Sequence, residues 1–409
     1  MFENIICQDE IVDSLTAGIE SGQLPSAILL WGPDFSGKLS VALEIARVLS
    51  CEGKAAERGA WGCGCRACGD HRLLIHPHTL LAGGRYFYQE AAACAETLRK
   101  TGGLPGRYLF IRAVRKLLRR FDPPLWEDEE AKLQKALPFI AAAEEALEEI
   151  LPEKDLPSGD RLASLTKDAL EAVRKICAAV NLDSIPIALL RRISSWSHLG
   201  VYGGAKIVII ENADRMNDNA RNSLLKILEE PPPRTNFILT TTRRAAILPT
   251  ILSRLRTFRF VPRDAQADAQ VLKKIFREDS ADGANLGDFF RAFEGIDPAA
   301  LRLRVRTFIS NTLRGEEFPL EEDPWFTDKI KFRVFLRELI NVFRLILSSG
   351  YGGGAAEGLP EVPLEKLEKW TAFVRQTMES LDVLNITSSV LARRLALIMG
   401  AKLDPQPGV

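Results

Sequence analysis

Neither sign of charge is in excess in this chain: 54 lysines and arginines balance 54 aspartates and glutamates over 409 residues. No global field therefore draws it to nucleic acid or a membrane surface, and any such contact is local or made through partners. A long apolar run is also missing, since none approaches the roughly 18 residues that a membrane span needs. The N-terminus Met1-Phe2-Glu3-Asn4 lacks a basic-then-apolar leader. These absences predict a cytoplasmic protein with no membrane partner. Disulfides are rare in that compartment, so seven cysteines point to thiols or metal ligands. Apolar residues are plentiful, at 46% of the chain. That is enough to bury two or three cores, and the length predicts about three domains.

Four of the cysteines, Cys51, Cys63, Cys65 and Cys68, follow the order C-x11-C-x-C-x2-C with Gly62, Gly64 and Gly69 between or beside them. Close-set thiolates on a glycine-rich knuckle can turn inward without strain, and four of them satisfy tetrahedral Zn2+ with no position left for water. The expected metal is a structural zinc. The Cys63-x-Cys65 step is tighter than the usual two-residue spacing, and His71 is the substitute ligand if either of these two stands aside. Cys7, Cys94 and Cys177 are isolated and are expected to be buried small apolar residues.

Two further segments carry nucleotide-site chemistry. The run Ile28-Leu29-Leu30-Trp31 reads as a strand, and Gly32 to Lys38 follows with the G-x4-G-K spacing of a phosphate loop before a helix from Leu39 to Leu49. Gly32 and Gly37 would let backbone N–H groups approach phosphates, with Lys38 reaching the terminal ones. The hydroxyl residue that should follow the lysine and hold magnesium is Leu39. Downstream, Ile207-Val208-Ile209-Ile210 reads as a buried parallel strand ending in Glu211. Asn212 stands where a general base belongs and cannot accept a proton. Asp214 is expected to cap a helix over Asn217 to Glu230. Together these defects predict feeble or absent ATP hydrolysis, with ATP or ADP held, if at all, without turnover.

The set Gln8-Asp9-Glu10-Ile11-Val12, Gly32 to Lys38, the four cysteines, Asn222-Ser223-Leu224-Leu225-Lys226-Ile227-Leu228-Glu229-Glu230-Pro231-Pro232, Thr240-Thr241-Thr242 and Leu248-Pro249-Thr250-Ile251-Leu252-Ser253-Arg254 resembles bacterial DNA polymerase III clamp-loader subunits of the delta-prime and gamma/tau type. The resemblance covers residues 1–70 and about 185–260. It implies an α/β AAA+ phosphate-loop core with a parallel sheet and a zinc-binding segment, a small helical lid and a C-terminal all-α collar domain. It implies Gly32, Gly37, Lys38, Leu39, Glu211 and Thr241 as the nucleotide-binding positions. Ser253 and Arg254 match the family's Ser-Arg-Cys, which supplies an arginine to ATP in the neighbouring subunit, although Leu255 replaces the cysteine. The loss of ATPase residues with retention of the arginine matches the delta-prime pattern, as does Pro298 in Gly295-Ile296-Asp297-Pro298, where an active lid carries an arginine. The implied partners are gamma/tau and delta subunits and, through the assembly, the sliding clamp and primed DNA. A gamma/tau-type ATPase is the alternative. A stand-alone zinc-containing nucleic-acid-binding protein is a third reading, which tight, steeply salt-dependent DNA binding without partners would mark.

The domain expectation is a core over 1–262 with a zinc module at 51–71 and a helical insertion at about 79–181, a lid over 263–313 and a collar over 314–409. Within the insertion, helices are expected over Gln89 to Arg99, Leu109 to Phe121, Glu127 to Leu151 and Ser164 to Val180. The second bears Arg112, Arg115, Lys116, Arg119 and Arg120 opposite an apolar face. That basic side either meets nucleic acid or pairs with the acidic helices around Glu127 to Glu130 and Glu144 to Glu149. Past residue 313, helices over Lys329 to Leu347, Leu364 to Leu381 and Ile386 to Met399 flank a glycine-rich break from Ser348 to Leu359.

Overall fold

The computed structural model describes residues 1–54, 58–127, 130–180, 182, 184–200, 204–279, 285–293, 297–316, 320, 323–352, 362–383 and 386–400. It divides into two compact units, Met1–Phe293 and Glu294–Val409.

The first unit is built on five parallel strands: β1 Ala27–Trp31, β2 Thr79–Ala82, β3 Lys206–Ile210, β4 Thr235–Thr241 and β5 Arg256–Arg259, in the order β2-β3-β4-β1-β5. Ile28 lies opposite Ile238 and Arg256, and Ile207 opposite Thr79 and Asn236. Alternation of side chains sorts the strands' apolar residues into two cores. Leu29, Val208, Ile210, Phe237 and Leu239 pack on one face with the helices Ile187–His198 and Asp218–Glu229. Ile28, Leu30, Ile207, Ile209 and Ile238 pack on the other with α1 (Asp9–Glu20) and α2 (Lys38–Leu49). The result is the AAA+ α/β core expected of the chain. Two expectations need correction. Thr79–Ala82, placed at the start of the insertion, is the edge strand β2. Asp214 does not cap the helix after β3; Asn217 does, its side chain accepting from the Ala220 N–H at 2.8 Å.

After β2 the chain forms α4 (Phe87–Thr101) and α5 (Leu104–Leu118); α3, before β2, is the short helix Arg66–Arg72 of the four-cysteine segment. Short helices Glu130–Gln134 (α6) and Leu137–Glu148 (α7) follow, then the long α8 (Gly159–Ala179). The single helix expected over Glu127 to Leu151 is thus two, separated just before Pro138, whose ring cannot sit in a helix interior. These helices bury Ala95, Leu98, Phe110, Val114, Leu147, Val173 and Ile176 in one core that also takes Leu272, Phe276 and Phe290 from the segment after β5. The insertion and the helices Ala265–Val271 and Leu286–Ala292 therefore share a single core. Cys94 is buried in it, whereas Cys177 is exposed and Cys7 partly so, against the expectation for these two.

The second unit consists, among its described residues, of the helices Pro298–Arg314, Pro324–Thr327, Lys329–Gly352, Leu364–Val383 and Ser388–Met399. Phe308, Phe326, Phe335, Phe343, Trp370 and Leu395 form its core. The helix from Lys329 runs through Ser348 to Gly352, so no break begins at Ser348 as expected; residues 353–361 lie outside the described residues, as do Gly295 and Ile296 of the lid motif. Residues 263–313, expected to form one lid, fall on either side of the division between the units. No helix of the described residues is long and apolar enough to cross a membrane.

Candidate functional site

The phosphate loop sits where the sequence places it, between β1 and α2. Gly37 caps the helix with φ 93°, a left-handed conformation natural to glycine. Lys38 turns back on its own loop, its Nζ donating to the carbonyl of Gly32 at 2.9 Å, to the carbonyl of Pro33, and to Ser36 Oγ at 3.4 Å. Burial lowers its pKa to about 8, against the opposing fields of Asp34 and Glu211. Leu39 is buried in the core beneath the sheet, which fits its failure to offer a metal ligand. Phe35 holds φ at 59°, a conformation that costs a non-glycine residue about 1–3 kcal/mol. Its ring meets those of Tyr86 and Phe290 at 4.8 and 5.4 Å, and Arg263 donates to its carbonyl and to that of Ile6. The loop is thereby fixed from outside by residues that loop spacing does not reveal.

Glu211 follows directly after β3 and is buried. Both its oxygens are occupied: Oε1 accepts from Arg85 Nη1 at 3.1 Å and Oε2 from Arg120 Nη2. Arg85 also faces Glu90 at 2.9 Å, and Lys116 pairs with Glu90 in turn. Burial would push the Glu90 carboxyl up, but Arg85 and Lys116 outweigh it and hold it below its ordinary value. Gly83 makes this wiring possible. Its φ is 91°, and a Cβ there would run into the Glu211 backbone, so only glycine lets the loop after β2 lie against the end of β3. Asn212 completes the seam by donating from Nδ2 to the Gly84 carbonyl at 2.7 Å. Thr241, fully buried at the end of β4, donates to Asp214 Oδ1 at 2.7 Å, and Arg243 Nε holds the other Asp214 oxygen at 2.9 Å.

The basic helix α5, with the 3-10 turn Arg119–Phe121 that continues it, lies in this seam rather than in solvent. Arg112 donates to the carbonyl of His71, Arg115 to that of Leu73 and to Glu144, and Arg119 to those of His76 and Thr79. Lys116 and Arg120 reach Glu90 and Glu211 as described. Among the described residues, pairing with the acidic helices is realised at Glu144. The other partners are backbone carbonyls: those of His71 and Leu73, where the helix Arg66–Arg72 ends and leaves acceptors unfilled, and those of His76 and Thr79 between that helix and β2.

The four cysteines converge, with Sγ atoms all within 4.8 Å of one another. Cys51 Sγ lies 3.7 Å from Cys63 Sγ and 3.9 Å from Cys65 Sγ. Four sulfurs about 2.3 Å from a tetrahedral ion would stand about 3.8 Å apart, whereas a disulfide needs about 2.05 Å. The N–H groups of Gly53 and Gly59 point at Cys51 Sγ, that of Cys68 at Cys65 Sγ, and Arg47 Nη1 at Cys68 Sγ at 3.2 Å. These donors suit thiolates, and a Cβ on Gly53 would stand 2.6 Å from Cys63 Sγ. The cage fits a metal ion with Cys63 and Cys65 both included and His71 outside; His71 stacks on His76 at 4.2 Å.

Ser253 and Arg254 end the short helix Pro249–Leu252. Arg254 donates to Glu229 at 2.7 Å and to the Thr250 carbonyl at 2.8 Å, with its side chain one-third exposed. Arg256 starts β5 opposite Ile28, while Arg259 lies opposite Trp31, the residue before the phosphate loop. Arg254 thus lies at the other end of the sheet from the chain's own loop, at least about 10 Å away by strand rise alone.

A parallel sheet with a phosphate loop after β1 and an acid after β3 defines the chain as a AAA+-type core. Residues 137–264 match the family described as DNA polymerase III, delta subunit. DNA polymerase III subunit delta' of Bacillus subtilis (strain 168) is 29% identical over 168 residues, 38% of this chain and 51% of its own length. The subunit of the same description from Escherichia coli (strain K12) is 45% identical over 60 residues, 15% and 18% of the two chains. A gamma subunit-related protein from Thermotoga maritima overlaps 53% of this chain and 79% of its own at 19% identity, with a TM-score of 0.26, too low to carry a fold argument. The chain spans about half the length or less of these curated relatives. It is similar to the delta-prime-type clamp-loader subunits of bacterial DNA polymerase III, as the resemblance in its sequence implies.

Proposed function

We propose that this chain is a delta-prime-type clamp-loader subunit that does not hydrolyse ATP itself and donates Arg254 to ATP bound by a neighbouring subunit during loading of the sliding clamp. The observation that carries the reading is the sealing of Glu211. With both oxygens held by buried guanidinium groups, Glu211 is not free to ligate a metal, and Asn212 beside it is committed to a backbone carbonyl.

The place of Arg254 supports action in trans, since its own phosphate loop is at the opposite end of the sheet. Its exposed partnership with Glu229 is worth no more than about 1 kcal/mol. An arginine stabilising charge on a transferring phosphoryl group contributes about 10³ to 10⁵ in rate, or roughly 4–7 kcal/mol. Leaving Glu229 therefore costs less than the arginine contributes in the transition state at a neighbour's γ-phosphate. The partners on this reading are gamma/tau and delta subunits, with clamp and primed DNA met through the assembly. The four-cysteine cage holds structural zinc, which completes the fold of residues 51–71 and supplies no open position for chemistry.

Steady-state ATPase of the chain alone, and reconstituted with gamma and delta partners, clamp and primed DNA, tests this. The lone chain should be inactive and Arg254→Ala should suppress turnover by the assembly, with Lys38→Ala leaving it near wild type. Hydrolysis by the lone chain that Lys38→Ala abolishes would replace this reading with the gamma/tau one.

A further inference from the structure

Helices α4 and α8 leave a groove of about 540 Å³ between them, within the first unit. Arg174, near the end of α8, donates to Tyr88 Oη at the start of α4 at 2.5 Å. Arg99, near the end of α4, lines the same groove as Ala163 near the start of α8. The two helices are therefore antiparallel. Eleven residues separate the two ends on each helix, about 16 Å at helical rise, so the groove is elongated. Its floor includes the half-buried Leu170 and Tyr88, both packed against the core of the insertion.

The rim of the groove is basic. Arg99, Lys167 and Arg174 are exposed, and among the described residues no carboxylate pairs with any of them. The acids nearby have other partners: Glu171 meets Lys175 at 3.2 Å, Glu96 and Glu278 meet Lys100 at 2.7 and 2.9 Å, and Asp168 accepts from the Ser164 hydroxyl at 3.3 Å. Lys167 and Arg174 lie two turns apart on α8, about 10 Å. Acids two turns apart on a third helix laid along the groove would meet both. A nucleic-acid strand suits the place less well. Tyr88 packs one side of its ring on the core and carries the Arg174 guanidinium 4.7 Å from its centroid, which leaves no face for a base to stack on.

We propose that the groove between α4 and α8 docks an acidic amphipathic helix of a partner protein, with carboxylates on Arg99, Lys167 and Arg174 and apolar side chains between them on Leu170 and Tyr88. A trough between two helices takes a third whose apolar stripe faces inward, and about three turns fill its length. Tyrosine and arginine are also the side chains that most often anchor such contacts. The inference concerns the insertion alone and stands apart from what Arg254 does for a neighbour.

Fluorescence anisotropy of the full chain with three labelled probes tests this. The first is a twelve-residue helical peptide of glutamate, alanine and leucine, with leucines three and four residues apart; the second has glutamine for each glutamate; the third is a twelve-residue oligothymidylate. The acidic peptide should bind at least about tenfold more tightly than its glutamine counterpart. Lys167→Glu and Arg174→Glu should each weaken it by about tenfold or more, whereas Arg244→Glu, outside the groove, should leave it unchanged. If Arg174→Glu lowers Tm by releasing Tyr88, Lys167→Glu combined with Arg99→Glu replaces it, since both side chains are exposed. No binding of the acidic peptide at about 1 mM, equal binding of the glutamine peptide, or full affinity in the charge-reversed variants overturns the proposal. Tighter binding of oligothymidylate that the same substitutions abolish assigns the groove to nucleic acid and overturns it as well. Failure here would leave the effect of Arg254→Ala on the assembly untouched, so the two readings fall separately.

Discussion

Replacing Cys63 by serine should remove the metal from this chain and loosen the segment that links α2 to α3. The hydrophobic cluster there is made of the cysteines alone, Cys51, Cys63 and Cys68 with Cys65 against them, so an ion must supply what an aliphatic core cannot. Structural zinc contributes about 10–16 kcal/mol of apparent binding energy across four ligands. One thiolate then accounts for about 3 kcal/mol, a loss of roughly a hundredfold in affinity. A unit of this size loses about 2–4 °C per kcal/mol, so Tm should fall by roughly 6–12 °C on the same scale. The local consequence is specific: Arg47, 1% exposed, holds the carbonyls of Gly59 and Ala60 as well as Cys68 Sγ. Release of the loop would leave it with Glu44 alone. Metal content of protein purified under reducing conditions, together with the thermal midpoint, checks this. Cys94→Ser is the control, because Cys94 is buried in α4 and outside the cage. Wild-type protein without metal, or a Cys63→Ser variant with unchanged metal content and Tm, would refute the reasoning.

Glu211→Ala should cost about 3–5 kcal/mol in urea unfolding by leaving the buried Arg120 without a carboxylate and Arg85 with Glu90 alone; a loss under about 1 kcal/mol would mean that the arginines find other partners. Lys38, with a pKa of about 8 against an ordinary 10.5, should show a ¹³C-methyl NMR titration midpoint near that lower value, and a midpoint at its ordinary value would mean the lysine is solvated. The folded chain binds fewer protons at Lys38 than the unfolded chain between these two values, so this group makes stability rise with pH across that window. His71 and His76 act at acid pH: burial lowers them to about 2 and about 4 from 6.5, so the unfolded chain takes up protons first. Stability should fall as pH drops from 6.5 toward 4, by up to about 1.4 kcal/mol per pH unit for each histidine, and His76→Phe should flatten the slope measured by urea midpoints.

The core was legible because its signals are local. Ile207 to Ile210 announces a buried parallel strand by four β-branched residues in a row, and the loop from Gly32 to Lys38 has its spacing on the surface of the sequence. The four cysteines are legible for the same reason. β2 was not: Thr79-Leu80-Leu81-Ala82 is four residues long with one β-branched member, too short to show a period and preceded by His-Pro-His, which reads as a loop. The partners of Glu211 were illegible for a different cause. Arg85 and Arg120 lie 126 and 91 residues before it, and no local pattern records a contact across an inserted helical segment.

The same fact explains why α5 misleads when read by charge. Arginines are rarely buried unless paired, so a helix with five basic residues on one side reads as solvated or as a nucleic-acid surface. Here the side is buried because acceptors were waiting for it: carbonyls at the end of α3, and two buried acids, Glu90 and Glu211, that would otherwise share Arg85 alone. An insertion that merely decorated the core could be lost without consequence for Glu211. This one supplies both Arg120 and Glu90, the counter-charge of Arg85, and shares its apolar core with Phe276 and Phe290. Shortening α4 and α5 should therefore unfold the end of β3 before it disturbs β1 and β4, whose pairing and packing rest on α2 and on the opposite face of the sheet. Hydrogen exchange that rises at Glu211 and Asn212, while protection persists from Leu29 to Trp31, is the expected pattern; uniform protection throughout would show the insertion to be ornamental.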